Sequence, residues 1–185
     1  MMKCRASHRQ APVTASGGAR LPASTGFTLI EMLVTVSLIA ILAALAAPSF
    51  DAIMLNNKLS SAATRLAASA VLARSEAIKR NLSVTVCVSV DSASCAASGT
   101  WEQGWIVLAG STVIHVEQAL PAGLVVSDTL AGKKSLSFAS TGVGSDQASF
   151  TICRKTPSVG DQERVVTVSA TGSTSVKKTV TGSCP

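Results

Sequence analysis

An α+β fold is predicted for this chain, with one long N-terminal helix packed on a C-terminal, mostly antiparallel β-sheet or sandwich. Three observations predict it. Helix-compatible sequence runs from Phe27 to Asn81, first as a nearly uncharged apolar stretch and then as an amphipathic one. At Ser83 the apolar period changes to two and stays there to the end of the chain. The links between the strand candidates are too short for crossovers, which favours antiparallel pairing.

The elements follow in order. Residues 1–26 hold Lys3, Arg5, Arg9 and Arg20 and no acid, with Pro12, Pro22, Gly17 and Gly18 and no apolar periodicity, as in a basic leader. Residues 27–50 form the first half of the helix. From Phe27 to Ala47 the only charge is Glu31. At ~1.5 Å per residue this run is about 32 Å long, one bilayer core. The leader then falls on the cytoplasmic side. A carboxylate inside an apolar span is expensive, so Glu31 calls for a function and a partner. A cut between Gly26 and Phe27 would supply one, the new amine of this chain or of a neighbouring copy.

Residues 51–81 form the second half of the helix. Leu55, Leu59, Ala62, Leu66, Ser69, Ala73 and Ala77 recur at helical spacing and mark a narrow face of small residues. Asn81 is the C-terminal stop. Residues 82–185 are the β domain. Val84 to Val90 alternate with Thr85, Cys87 and Ser89, and further strands are expected at 105–109, 112–117, 124–127, 135–139, 148–153, 164–169 and 175–180. Trp101 and Trp105 read as core or loop packing, and Gly104 between them as a tight turn.

Composition narrows the function. Hydrophobic residues make up 47% and charged residues 14%, which excludes a disordered charged tail. Aromatics are 3% with no Tyr, which disfavours a base-stacking platform. The formal charge of +6 invites a nucleic-acid or anionic-membrane reading. However, four of the sixteen basic residues and none of the ten acidic ones lie in 1–26, so residues 27–185 carry only +2. Local basic pairs remain at Lys133-Lys134, Arg154-Lys155 and Lys177-Lys178.

The run Gly26-Phe27-Thr28-Leu29-Ile30-Glu31-Met32-Leu33-Val34 closely resembles the processing motif of type IV pilins and type II secretion pseudopilins. Farther on, Ala73–Asn81, Val84-Thr85-Val86-Cys87 and Trp101-Glu102-Gln103-Gly104-Trp105-Ile106-Val107 resemble the GspH/FimT family of minor pilins. The resemblance implies a pilin-like fold and a subunit of a type IV pilus or type II secretion pseudopilus. It implies that a prepilin peptidase cleaves between Gly26 and Phe27 and N-methylates Phe27. It implies further that Glu31 guides assembly and that Pro48 kinks the helix. The expected partners are other pilins, the peptidase, an inner-membrane assembly platform and membrane lipid. The expected location is a single pass in a bacterial inner membrane, with the C-terminal domain in the periplasm. A secretory signal peptide cut at Ala44-Leu45-Ala46 is the plainer alternative, and it conflicts with the leader's length, Glu31 and the helical pattern beyond Ala47.

Cys4 leaves with the leader on this reading, and Cys87, Cys95, Cys153 and Cys184 remain. An even count in an oxidising compartment suggests two disulfides. Of three possible pairings the favoured one is Cys87–Cys95, closing a Ser-rich hairpin, with Cys153–Cys184 pinning the C-terminal tail to a strand. No metal or cofactor motif is found, and there is no Cys-x-x-Cys. His115 lacks a motif-linked nucleophile and reads as a structural histidine, so no catalytic residue is assigned and the chain reads as a non-enzyme. The alternative function is DNA capture in uptake, through Lys177 and Lys178. The DNA-receptor branch of the family shows Gly-Arg-x-Arg in its tail, whereas this tail reads Gly172-Ser173-Thr174-Ser175-Val176-Lys177-Lys178. Lysines hold phosphates as point charges without bidentate geometry.

Overall fold

In a computed structural model the chain is described at residues 26–130, 132, 134–144, 146–155 and 162–179, with backbone only at 46–49. Helix α1 runs from Leu29 to Arg80. Its residues up to Ala44 form one unit, and Leu45 onward belongs to a second that holds all the strands. The helix ends at Asn81, whose φ of 52° is left-handed. There the Leu82 amide donates to the Ala77 carbonyl and the Asn81 amide to that of Ile78. Together they make a Schellman cap, which short polar Asn tolerates better than a branched residue.

In the second unit eight strands follow: β1 Val84–Val88, β2 Trp105–Ala109, β3 Thr112–Glu117, β4 Leu124–Asp128, β5 Ser135–Phe138, β6 Ala148–Arg154, β7 Glu163–Val168 and β8 Thr174–Thr179. They build two four-stranded sheets, ordered β3-β2-β1-β5 and β4-β6-β7-β8. Every strand pairing is antiparallel. The first strand is shorter than the alternation of Val84 to Val90 suggests. It stops at Val88, because the Ser89 amide turns to the Gly104 carbonyl and Val90 swings out, 66% exposed.

All seven positions of the expected small-residue face of α1 are buried. The six apolar ones join one cluster with Val84, Val86, Val107 and Phe138 from one sheet and Phe150, Ile152 and Val166 from the other. Both tryptophans are core residues, each 1% exposed. The Trp101 ring meets Phe150 edge-on at 5.0 Å and Trp105 at 6.4 Å, so it bridges the two sheets. The Trp105 indole N–H donates to Ser69 Oγ at 2.9 Å, which explains a serine on the buried helix face. Gly104 is the turn residue: its φ is 110°, and a Cβ there would sit 2.6 Å from the Glu117 carbonyl oxygen.

Cys87 and Cys95 form the expected disulfide across a separation of eight residues, with Cα atoms 5.5 Å apart. Cys153 is disulfide-bonded as well, while Cys184, Lys133 and residues 1–25 lie outside the described residues. The disulfide loop is organised by Asp91. Its carboxylate accepts from the Ser94 hydroxyl at 2.7 Å, the Ser94 and Ala93 amides and the Ser89 hydroxyl. These bonds, the Ser94 hydroxyl first, hold the Asp91 carboxyl far below the usual carboxylate range.

Two turns dock on the helix at Arg74, whose guanidinium donates to the Gly172 carbonyl. Gly172 has a φ of 75°, and a Cβ there would strike the Gly142 carbonyl and lie 3.1 Å from Arg74 Nε. Gly172→Ala should therefore destabilise the fold by about 1–3 kcal/mol. A urea midpoint equal to that of the parent chain would refute this. For Asp91 the folded carboxyl titrates below its unfolded value, so its contribution is present above pH ~4 and is lost as pH falls further. The stability gap between the parent and Asp91→Asn should thus close in acid. Melting curves taken down the pH scale check it, and an unchanged gap would contradict the assignment.

Candidate assembly site

The helix begins abruptly. Gly26, Phe27 and Thr28 lie outside it, Phe27 is 77% exposed, and nothing approaches the position of a Cβ at Gly26. Thr28 is the N-cap. Its hydroxyl accepts the Glu31 amide at 3.3 Å, and its carbonyl accepts the first helical bond, from the Met32 amide at 3.2 Å. Thr28 and Glu31 thus stand in the Thr-x-x-Glu spacing of a helix start. Glu31, exposed, occupies the first turn beside the helix's positive end. Among the described residues no cation pairs with it.

The described residues of this first unit are all exposed. Leu29, Ile30, Met32, Leu33, Val34, Val36, Leu38, Ile39, Ile41 and Leu42 are each between 47% and 84% exposed. The two hydroxyls of the segment turn back on their own helix, Thr35 to the Met32 carbonyl and Ser37 to that of Leu33. They therefore add no unmet polar group to an apolar surrounding. Among the described residues no single helix is long and apolar enough to cross a membrane. Leu29–Leu45 and Phe50–Arg80 taken together pass on length and composition.

In the second unit the exposed stripe of α1 is uncharged: Asn57, Ser61, Thr64, Ala68, Val71, Ser75 and Ile78 follow one another at steps of four and three. A surface helix facing only water normally carries charge there. The signal is visible in sequence as a charge-free heptad stripe, and only the buried face was read from it above.

The remaining expected residues fall elsewhere. Pro48 lies inside α1. His115 is not alone. Its Nε2 lies 3.3 Å from Glu117, whose other oxygen accepts Arg65 of α1 at 2.7 Å. The three, with Ala68, Ser69 and Leu72, line a groove of about 330 Å³. Ser69 is committed to Trp105 and to the Arg65 carbonyl, so the groove offers no activated nucleophile. Among the described residues no cluster of three His, Cys, Asp or Glu is placed to hold a metal.

Residues 62–172 match the family described as Type II transport protein GspH, and residues 22–47 match the Prokaryotic N-terminal methylation motif. No curated protein matches the chain. Among solved structures, the type IV minor pilin FimU of Pseudomonas aeruginosa is 23% identical, with 65% of this chain and 89% of that one covered and a TM-score of 0.53. The minor pseudopilin EpsH of the type 2 secretion system of Vibrio cholerae is 18% identical, with 65% and 97% covered and a TM-score of 0.49.

DNA capture gains no support from these matches. Lys177 and Lys178 are exposed on β8, an edge strand, where lysine blocks pairing with a foreign strand. Replacing both with Val should leave the melting temperature within a few degrees of the parent and raise aggregation in light scattering. Loss of duplex-DNA binding at low salt in that variant, with no change in aggregation, would reverse the assignment. The match over 62–172, on a second unit built around the small-residue face of α1, fixes the family: the chain belongs to the GspH family and is a minor pilin or pseudopilin that assembles with other pilins.

Proposed function

We propose that the chain is made as a membrane-inserted precursor, is cut between Gly26 and Phe27 by a prepilin peptidase that also N-methylates Phe27, and is then built through α1 into a type IV pilus or type II secretion pseudopilus. One observation carries the proposal. The methylation-motif match over 22–47 falls on a Gly-Phe pair that lies outside the helix, with Phe27 exposed and Thr28 capping the helix behind it. A peptidase needs an accessible dipeptide outside regular structure, and the exposed Gly26-Phe27 pair ahead of the helix supports that reading.

The division of labour follows the chain. Residues 1–26 are the leader that orients the precursor and is removed. Residues 27–50 are the span in a bacterial inner membrane, and Pro48, lacking an amide hydrogen, kinks it. Residues 51–81 are the amphipathic half, whose uncharged stripe faces neighbouring subunits. Residues 82–185 are the periplasmic β domain. The inner-membrane platform and lipid are the partners before assembly, and other pilins after it. Glu31 pairs with the terminal amine of a neighbour. The chain does no catalysis, and DNA capture is not part of the proposal.

The test uses the full chain in a host that assembles such fibres. Mass spectrometry of the mature protein should find N-methylated Phe27 as its first residue, and a start at Ala47 would identify a signal peptide instead. Glu31→Ala should be processed normally yet be depleted from sheared fibres by tenfold or more. Normal incorporation of that variant would remove the assembly role of Glu31.

A further inference from the structure

The outer face of the sheet β3-β2-β1-β5 carries the Cys87–Cys95 link, which the assembly reading leaves unused. Val84, Val86 and Val88 turn into the core, so Cys87 between them points the other way. On either side of it stand Ile106 of β2 and Ser135 of β5, and it is 0% exposed. Cys95 belongs to the loop after β1 and is exposed. Both cysteines line a groove of about 430 Å³, with Thr85, Ala96, Ser135 and Ser137. No carboxylate lines it among the described residues, and its one cation, Lys134, stays 3.9 Å from Asp128. The loop is held by more than the sulfur bridge. The Ala96 amide donates to the Val88 carbonyl at 2.8 Å, one residue beyond each cysteine, and Asp91 gathers four donors from the turn between them.

We propose that Cys95 Sγ is a thiol-exchange site, at which a dithiol oxidoreductase takes the chain into a mixed disulfide and returns it with the same link. Displacement at sulfur runs along the S–S axis, so the incoming thiolate arrives opposite the sulfur that leaves. For Cys87 that approach is filled by the sheet, since the residue is wholly buried between two strands. For Cys95 it comes from the exposed loop side. The thiolate therefore bonds to Cys95 Sγ, the Cys87–Cys95 bond breaks, and its electron pair leaves on Cys87 Sγ, which takes a proton from water. The second thiol of the reagent, as its thiolate, then attacks the new bond. The reagent is oxidised to its own disulfide, and Cys95 is released and protonated, so the two electrons lost by the reagent reduce the protein's pair. The reverse sequence, from the oxidised reagent, remakes the link. Asp91 and the Ala96 to Val88 bond keep the open loop in place, so Cys95 stays beside Cys87 for reclosure. The periplasmic location proposed above would supply the oxidoreductase, but the exchange chemistry stands without it.

The experiment uses the full chain in detergent micelles, with free thiols first blocked by iodoacetamide. The probes are thioredoxin whose second active-site cysteine is replaced by serine, which traps the mixed disulfide, and reduced glutathione. Adducts are quenched in acid and located by peptide mapping, so that Cys153 is scored apart from this pair. Both probes should be found on Cys95 over Cys87 by about tenfold or more, the mark of one accessible sulfur. Adducts on Cys87, or equally on both, overturn the proposal. So does an adduct that forms only in urea, which would make the link a sealed structural one. In a second arm the pair is reduced with dithiothreitol without denaturant and reclosed with oxidised glutathione. Asp91→Ala should reclose about fivefold more slowly than the parent, because the two thiols are no longer held together, and yet keep the preference for Cys95. Lys178→Gln, on β8, should change neither. Reclosure of Asp91→Ala at the parent's rate overturns the part given to the loop.

Discussion

The close packing of one small-residue helix face against two separate sheets is the interaction on which the second unit depends. The sheets share no strand. What joins them is the row Leu55, Leu59, Ala62, Leu66, Ser69, Ala73 and Ala77, together with Trp101 lying between Trp105 and Phe150. Leucine and alanine mix along that row, and every residue of it is buried. Serine is tolerated at 69 because the indole N–H of Trp105 would otherwise be buried without an acceptor. Polar contacts then set the height of the sheets along the helix. Arg164 reaches Asn56 at one end, Arg65 meets Glu117 in the middle, and Arg74 holds Gly172 at the other. Each uses a long cation with its stem along apolar surface.

A subunit that assembles with other pilins must not pair with them through its sheet edges, and those edges are blocked by different means. Strand β3 carries a register shift opposite Val107/Leu108 and two polar residues, His115 and Glu117, with Glu117 bonded to Arg65 of the helix. On β4 the exposed-side amide of Val126 is taken by the Glu102 carboxylate, and the Glu102 carbonyl takes the Leu120 amide. β8 presents Lys177 and Lys178, and β5 is only four residues long. Bulges, inward charges, lysines and short edges are the devices that keep sheets from pairing with one another.

Much of this was legible in the chain. Periodicity is a local property, so the strand candidates fell within a residue or two of the observed strands, and the buried helix face was read residue by residue. The Cys87–Cys95 link was legible because a short Ser-rich loop brings its own ends together. What stayed hidden is long-range. Nothing local says that β1 pairs with β5, or that Glu102 reaches across to Val126, because those partners are far apart in sequence and set by how the sheets stack. His115 reads from sequence as a structural histidine; Glu117 two residues on is on the same side of the strand, but Arg65, which joins them, comes from the helix. Phe27 was placed inside the helix, and Thr28 excludes it by taking the cap. Lys177 and Lys178 could be weighed only once β8 was seen to be an edge.

The cap at Thr28 also bears on why Glu31 sits where it does. In the first turn its carboxylate gains roughly 0.3–1 kcal/mol from the helix end. An ionised carboxylate at the centre of an apolar span costs about 2.5–3.5 kcal/mol on insertion scales, and less toward its end, where Glu31 lies. The lone subunit is thus left with a deficit of at most roughly 2 kcal/mol that no described residue relieves. On the proposed assembly route an amine about 4 Å away, at an effective dielectric near 20, is worth about 4 kcal/mol. That exceeds the deficit, so the carboxylate favours departure from lipid into a neighbour's company. It also orders the steps: while the leader is attached Phe27 has an amide and no amine, so the compensating charge exists only after the cut. On that route the same residue penalises the solitary anchored state and rewards the assembled one, and Thr28 holds it in the first helical turn.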